Sequence, residues 1–127
     1  MNILVVDDVE AIGMIVSRIS AQGGWQAYYM DNTDNLLETI REKKIDVVLC
    51  DYFMPRTQGL EVLRLIRGEY QKLPVVFFTG NVEGVDMKAA KELGIFKVMN
   101  KPLSVSELRS TLKEAYQSQL STTGQKV

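Results

Sequence analysis

Apolar residues in this chain follow two rhythms that take turns. Residues 3–6 (Ile-Leu-Val-Val), 47–50 (Val-Val-Leu-Cys) and 75–78 (Val-Val-Phe-Phe) are short unbroken apolar runs, the mark of strands covered on both faces. Between them the period lengthens. Ile12, Ile15, Val16 and Ile19 fall at i, i+3, i+4 and i+7, which predicts an amphipathic helix over 10–21, stopped by Gly23-Gly24. Residues 25–30 read as a second strand, with Tyr28 and Tyr29 divided between core and surface. Asn32, Thr33 or Asp34 can cap a helix carrying Leu36, Leu37 and Ile40. Residues 60–66 are helical through Val62, Leu63 and Ile66, a further helix spans 84–93 and closes at Gly94, and residues 95–99 make a fifth strand. The last helix opens on a capping box, Ser104 to Glu107, with Leu103 and Leu108 as its hydrophobic staple. Val105, Leu108, Leu112, Ala115 and Tyr116 form its stripe.

Five repeats of strand then helix, with strands too apolar to face water, predict an α/β fold: a doubly wound parallel sheet with helices on both sides and right-handed crossovers. The 127 residues suit one domain, expected over 1–120, followed by a polar, frayed tail at 121–127. The net charge of -1 gives no reason to expect nucleic acid or membrane as partner. No apolar run is long enough for a span or leader. The single cysteine, Cys50, excludes an internal disulfide and reads as a small buried hydrophobe in a reducing, cytoplasmic setting. The sequence holds no histidine, so it carries no histidine metal site and no histidine phosphodonor.

The polar residues of interest stand at C-terminal strand ends: Asp7 and Asp8, Asp51, Thr79, Lys101. In a parallel sheet those ends share one edge, where open α/β sheets bind ligands. Crowded carboxylates resist ionisation. A hard divalent cation, Mg²⁺, relieves this and takes oxygen ligands. An arriving phosphoryl group needs cationic and hydroxyl partners, which Lys101 and Thr79 supply. Asp51 is the candidate nucleophile, since the adjacent Asp7-Asp8 pair is better suited to hold metal. Taken singly, each residue has a plainer reading: helix cap, turn residue, solvated lysine. Capping alone does not predict a lone threonine and a lone lysine at the other two ends. Gln58, Arg56 and Asn81 border the site and are assigned a tuning role.

Asp7-Asp8, Asp51-Tyr52-Phe53-Met54-Pro55 with Gly59, Thr79-Gly80 and Lys101-Pro102, in this order at successive strand ends, resemble the receiver domain of bacterial response regulators over residues 2 to about 120. The resemblance implies a flavodoxin-like (βα)5 sheet of order 2-1-3-4-5. It implies Asp51 as phosphoacceptor from a histidine kinase or histidine phosphotransfer protein. Asp8, Asp51 and the Phe53 backbone carbonyl would bind Mg²⁺ directly, with Asp7 acting partly through water. Thr79 and Lys101 would contact the phosphoryl oxygens. The surface of the fourth helix, fifth strand and fifth helix would then meet a downstream protein, with weak homodimerisation also open.

Two positions depart from that pattern. Val98 stands where the family often has an aromatic residue that moves with the threonine; Phe96 shares its strand parity but lies about 6.6 Å further off. Phe53 replaces a position that is often polar, and its bulk at the mouth should slow hydrolysis of the acyl phosphate. An alternative class is a Mg²⁺-dependent aspartyl-phosphate phosphohydrolase. Enzymes of the haloacid dehalogenase type, however, want an acid two residues after the nucleophile, and Phe53 is there. A flavin carrier would want a Gly/Ser/Thr-rich phosphate loop where this chain has Asp7-Asp8-Val9-Glu10. No effector domain fits in this length, so output through partner binding or onward phosphotransfer is expected. The early Met1 and polar tail favour a stand-alone protein over an excised receiver.

Overall fold

In the computed structural model, the backbone of residues 1–125 and the side chains of residues 1–119 are described. Of the frayed tail expected at 121–127, residues 121–125 are instead helical, and the last two lie outside the described residues. Five strands, β1 (Asn2–Val6), β2 (Gln26–Met30), β3 (Val47–Asp51), β4 (Val75–Thr79) and β5 (Lys97–Asn100), alternate with five α-helices. The helices are α1 (Glu10–Gln22), α2 (Leu36–Glu42), α3 (Gly59–Glu69), α4 (Met87–Glu92) and α5 (Val105–Gln125). All strand pairs are parallel, and the sheet order is β2-β1-β3-β4-β5, as expected.

The pleat sends successive strand residues to opposite faces, and the core divides accordingly. Leu4, Val6, Val48, Cys50, Val75 and Phe77 meet α2, α3 and α4 through Leu36, Ile40, Val62, Leu63, Ile66 and Ala90. Ile3, Val5, Val47, Leu49, Val76 and Phe78 meet α1 and α5 through Val16, Ile19, Leu108, Leu112 and Ala115. The central strands β3 and β4 are buried at every residue, whereas the edge strands β2 and β5 are partly exposed.

Several local expectations are corrected. Ile15 is 44% exposed; the inward stripe of α1 runs instead through Ile12, Gly13, Val16, Ile19 and Ser20, because the Tyr29 ring fills the space beside Gly13. Helix α2 starts after Asn35, whose φ of 60° is left-handed and whose side chain makes no cap bond. Asn32 accepts the Asp34 amide at 2.8 Å one turn earlier. The helix expected over 84–93 is a 3₁₀ turn at Val82–Gly84 followed by a six-residue α4. Extended Val85 separates them, and the Asp86 carboxylate accepts the Ala89 amide at 3.1 Å to begin α4.

On α5 the capping box is half made: Ser104 Oγ accepts the Glu107 amide at 3.3 Å, while the Glu107 carboxylate sits 3.8 Å from Lys97 Nζ. Val105 is exposed, ahead of the buried stripe. Phe96 does not share a face with Val98: it precedes β5 and packs with the α1 and α5 layer, while Val98, paired with Phe77, packs on the other side.

Candidate functional site

At three neighbouring strand ends the chain makes the same local turn. Asp7 Oδ1 accepts the Val9 amide at 2.8 Å, Asp51 Oδ1 accepts the Phe53 amide at 3.3 Å, and Thr79 Oγ1 accepts the Asn81 amide at 3.1 Å. Short polar side chains bond the amide two residues on wherever a strand must turn away. The turn reading of these residues is therefore correct, while neither α1 nor α3 takes a side-chain cap from them. The turn uses one oxygen of each carboxylate and leaves the other, Oδ2.

Those second oxygens meet. Lys101 Nζ lies 3.3 Å from Asp51 Oδ2 and 3.5 Å from Asp7 Oδ2, and 4.9 Å above the Phe78 ring. Its backbone is fixed by a 2.8 Å bond from the Lys101 amide to the Thr79 carbonyl. Ligand oxygens of Asp7, Asp8 and Asp51 all lie within 4.8 Å of one another. Asp7 and Asp51 are buried and Asp8 is exposed. Asp7 Oδ2 accepts no hydrogen bond despite being buried, because the lysine reaches ion-pair distance without bonding geometry.

Electrostatics follow from this crowding. The Asp7 carboxyl is pushed up to about 6, chiefly by burial, with Asp51 adding to it and the Val9 amide and Lys101 opposing. Burial likewise raises Asp51, against the pull of Lys101 and the Phe53 amide. Burial also pushes the Cys50 thiol up, so Cys50 is the inert hydrophobe expected of it. Three hard oxygen donors, one of them buried and short of a donor, are a set that fits a divalent cation.

The acceptor loop is tightly built. A Cβ on Gly59 would stand 2.9 Å from the Tyr52 backbone and 3.2 Å from the Asp51 carbonyl, so only glycine lets α3 start against β3. The Tyr52 hydroxyl accepts the Asp86 amide at 3.1 Å, which ties the residue after Asp51 to the start of α4. The Phe53 ring is 42% exposed, edge-on to Tyr52 at 4.8 Å. It lies against the 3₁₀ turn, where a Cβ on Gly84 would be 2.9 Å from its Cζ. A cleft of about 380 Å³ opens beside Asp8, with Asp31, Asp34 and Arg56 in its wall.

Asp7, Asp8, Asp51 and Lys101 are thus brought together. Thr79 is joined to them through the Lys101 backbone, with its hydroxyl engaged by Asn81. Sequence reading did not single out Tyr52, nor the Tyr29 hydroxyl, which donates to the Asp7 carbonyl at 2.7 Å. The one available signal was Gly13, a glycine inside a helical pattern, which usually has a packing reason.

The sequence profile of the response regulator receiver domain matches residues 3–113. The DNA-binding transcriptional regulator NtrC of Proteus hauseri is 27% identical over 114 residues, covering 90% of this chain and 24% of its own length. The chain therefore spans about a quarter of that relative. A crystal structure of a response regulator receiver domain protein from Clostridium thermocellum is 27% identical with a TM-score of 0.80, over 91% of this chain and 94% of that one. A CheY-like receiver domain protein from Methanospirillum hungatei superposes with a TM-score of 0.87 at 21% identity, over 95% and 97% of the two chains.

Proposed function

The chain belongs to the response regulator receiver domain family of two-component signal transduction, and from that premise we propose that Asp51 is its phosphoacceptor, loaded by a phosphohistidine on a kinase or phosphotransfer partner. The observation that carries this reading is the Lys101 ammonium held between Asp51 Oδ2 at 3.3 Å and Asp7 Oδ2 at 3.5 Å.

An Asp51 carboxylate oxygen attacks phosphorus, the new O–P bond forms as the N–P bond breaks, and the electron pair leaves on the imidazole nitrogen. Lys101 already stands where negative charge passes from the carboxylate to the phosphoryl oxygens, so it needs little movement to follow it. Thr79 uses its oxygen as acceptor for Asn81, which leaves its proton to give to a phosphoryl oxygen. Asp7, Asp8 and Asp51, with the Phe53 carbonyl, would hold Mg²⁺, which supplies charge neutralisation for the carboxylates and the incoming group. The cleft beside Asp8 is the open approach for the donor.

Output is read by a protein partner on the face of α4, β5 and α5, in the cytoplasm, with neither nucleic acid nor membrane bound by this chain. Self-association into a weak homodimer remains compatible with that face. With Val98 in place of an aromatic, the link from Asp51 to that face runs through Tyr52 and Phe53 to the start of α4.

Incubation with acetyl phosphate and Mg²⁺ tests the reading. The expected result is uptake of one phosphoryl group per chain, abolished by chelation and by Asp51→Asn, with no sustained turnover of a phosphoester. Repeated turnover would favour the phosphohydrolase alternative, and equal labelling of Asp51→Asn would remove the acceptor assignment.

A further inference from the structure

Of the three acids, two have their carboxylates fixed by their own loops: Asp7 by the Val9 amide and Asp51 by the Phe53 amide. Asp8 is exposed, so where its carboxylate points depends on how the peptide joining it to Asp7 is held. Strand β2 holds that peptide. The Asp7 carbonyl, which belongs to that peptide, accepts the Tyr29 hydroxyl at 2.7 Å, an ideal length for such a bond, and the preceding peptide is pinned by the Asp7 amide, which donates to the Met30 carbonyl at 3.1 Å. The Tyr29 ring is itself seated. A Cβ on Gly13 would stand 2.5 Å from its Cδ1 and 2.8 Å from its Cγ, so α1 gives up a side chain to admit the ring. A glycine inside a helix is destabilising compared with alanine, and at this position the ring is what it makes room for.

We infer that Tyr29 is a positioning residue of the metal site, which with Gly13 orients the Asp7–Asp8 peptide so that the exposed Asp8 carboxylate joins those of Asp7 and Asp51. The inference rests on the Mg²⁺ reading above. It concerns a side chain that touches neither cation nor phosphoryl group and acts only through the backbone of its ligands.

The test is calorimetric titration of Mg²⁺ into wild type, Tyr29→Phe and Gly13→Ala. Tyr29→Phe keeps the ring and removes one neutral hydrogen bond, whose usual worth corresponds to roughly 2- to 10-fold in affinity. Mg²⁺ should bind more weakly by that factor. In acetyl phosphate labelling, the loss should appear in the Mg²⁺ concentration giving half-maximal rate. Gly13→Ala should weaken Mg²⁺ in the same direction, because the added methyl displaces the ring. Unchanged Mg²⁺ affinity in Tyr29→Phe, with or without a lower melting temperature, would overturn the inference and leave the proposed function standing. A wild type that binds no Mg²⁺ would overturn both.

Discussion

Asp7 is fully buried beside a second carboxylate, and its carboxyl is pushed up to about 6. A carboxyl raised in the fold is more comfortable protonated there than in the unfolded chain. Its effect is therefore a loss of stability as pH rises from the ordinary value of 3.8 to about 6. Without divalent metal, Asp7→Asn should match wild type near pH 4 and exceed it at pH 7 by ~2 kcal/mol, measured by urea unfolding. On the proposed Mg²⁺ reading, saturating Mg²⁺ should reverse the order, since it would bind the folded wild type. Phe53 makes a second residue-scale prediction. Its ring lies edge-on to Tyr52 and against the 3₁₀ turn, where, on the phosphoacceptor reading, it would screen the acyl phosphate from water. Phe53→Asn should shorten the phosphoryl lifetime about threefold or more, a barrier change of at least ~0.7 kcal/mol; equal lifetimes would show that the ring is no shield. Asp7, Asp8 and Asp51 were legible in the sequence because they follow unbroken apolar runs, and Lys101 because it follows the fifth strand and precedes a proline. Tyr29 and Tyr52 were not, because a hydrogen bond to a distant backbone group leaves no local pattern.

At the scale of elements, α4 is the least self-sufficient. It has six residues, too few to stand without tertiary support, and it hangs on the Asp86 cap, the Tyr52 hydroxyl and Arg67. Tyr52→Phe removes the acceptor for the Asp86 amide; hydrogen exchange at that amide should speed up, with a stability cost of ~1 kcal/mol. Arg67 donates to the Leu93, Tyr70, Leu73 and Gly94 carbonyls at 2.6, 2.9, 2.8 and 3.0 Å. It joins the ends of α3 and α4 to the entry of β4, and its burial lowers its pKa below the usual guanidinium value. Arg67→Met strands several carbonyls, and a loss of ~3 kcal/mol is expected in thermal unfolding. These supports explain which elements could be read in advance. Strands β1, β3 and β4 were clear because each holds an unbroken run of apolar residues. The start of α4 was not, because Asp86 competes with an unbroken helical pattern from 84. On α1 the expected Ile12, Val16 and Ile19 do face inward, and Ile15 was misplaced because Gly13 looks like a gap until Tyr29 is seen to fill it.

The whole molecule is a sheet that gathers four strand ends on one rim and leaves the opposite rim to packing. Unbroken apolar strands separated by amphipathic helices made the doubly wound class legible. The order β2-β1-β3-β4-β5 came with the family resemblance, since periodicity does not rank strands. Switching such a body from mostly inactive to mostly active takes ~5 kcal/mol of differential stabilisation. A phosphoryl group with about two charges can meet that through a few charge-assisted bonds from Lys101 and Thr79. Everything at this scale rests on the phosphoryl group residing on Asp51, and an aspartyl phosphate can be trapped by borohydride, which reduces the acylated carboxyl to an alcohol. Peptide mass mapping after acetyl phosphate, Mg²⁺ and borohydride should find homoserine in place of aspartate at position 51 and at no other acid. Trapping at Asp7 or Asp8, or a label on a hydroxyl side chain with position 51 intact, would contradict the account.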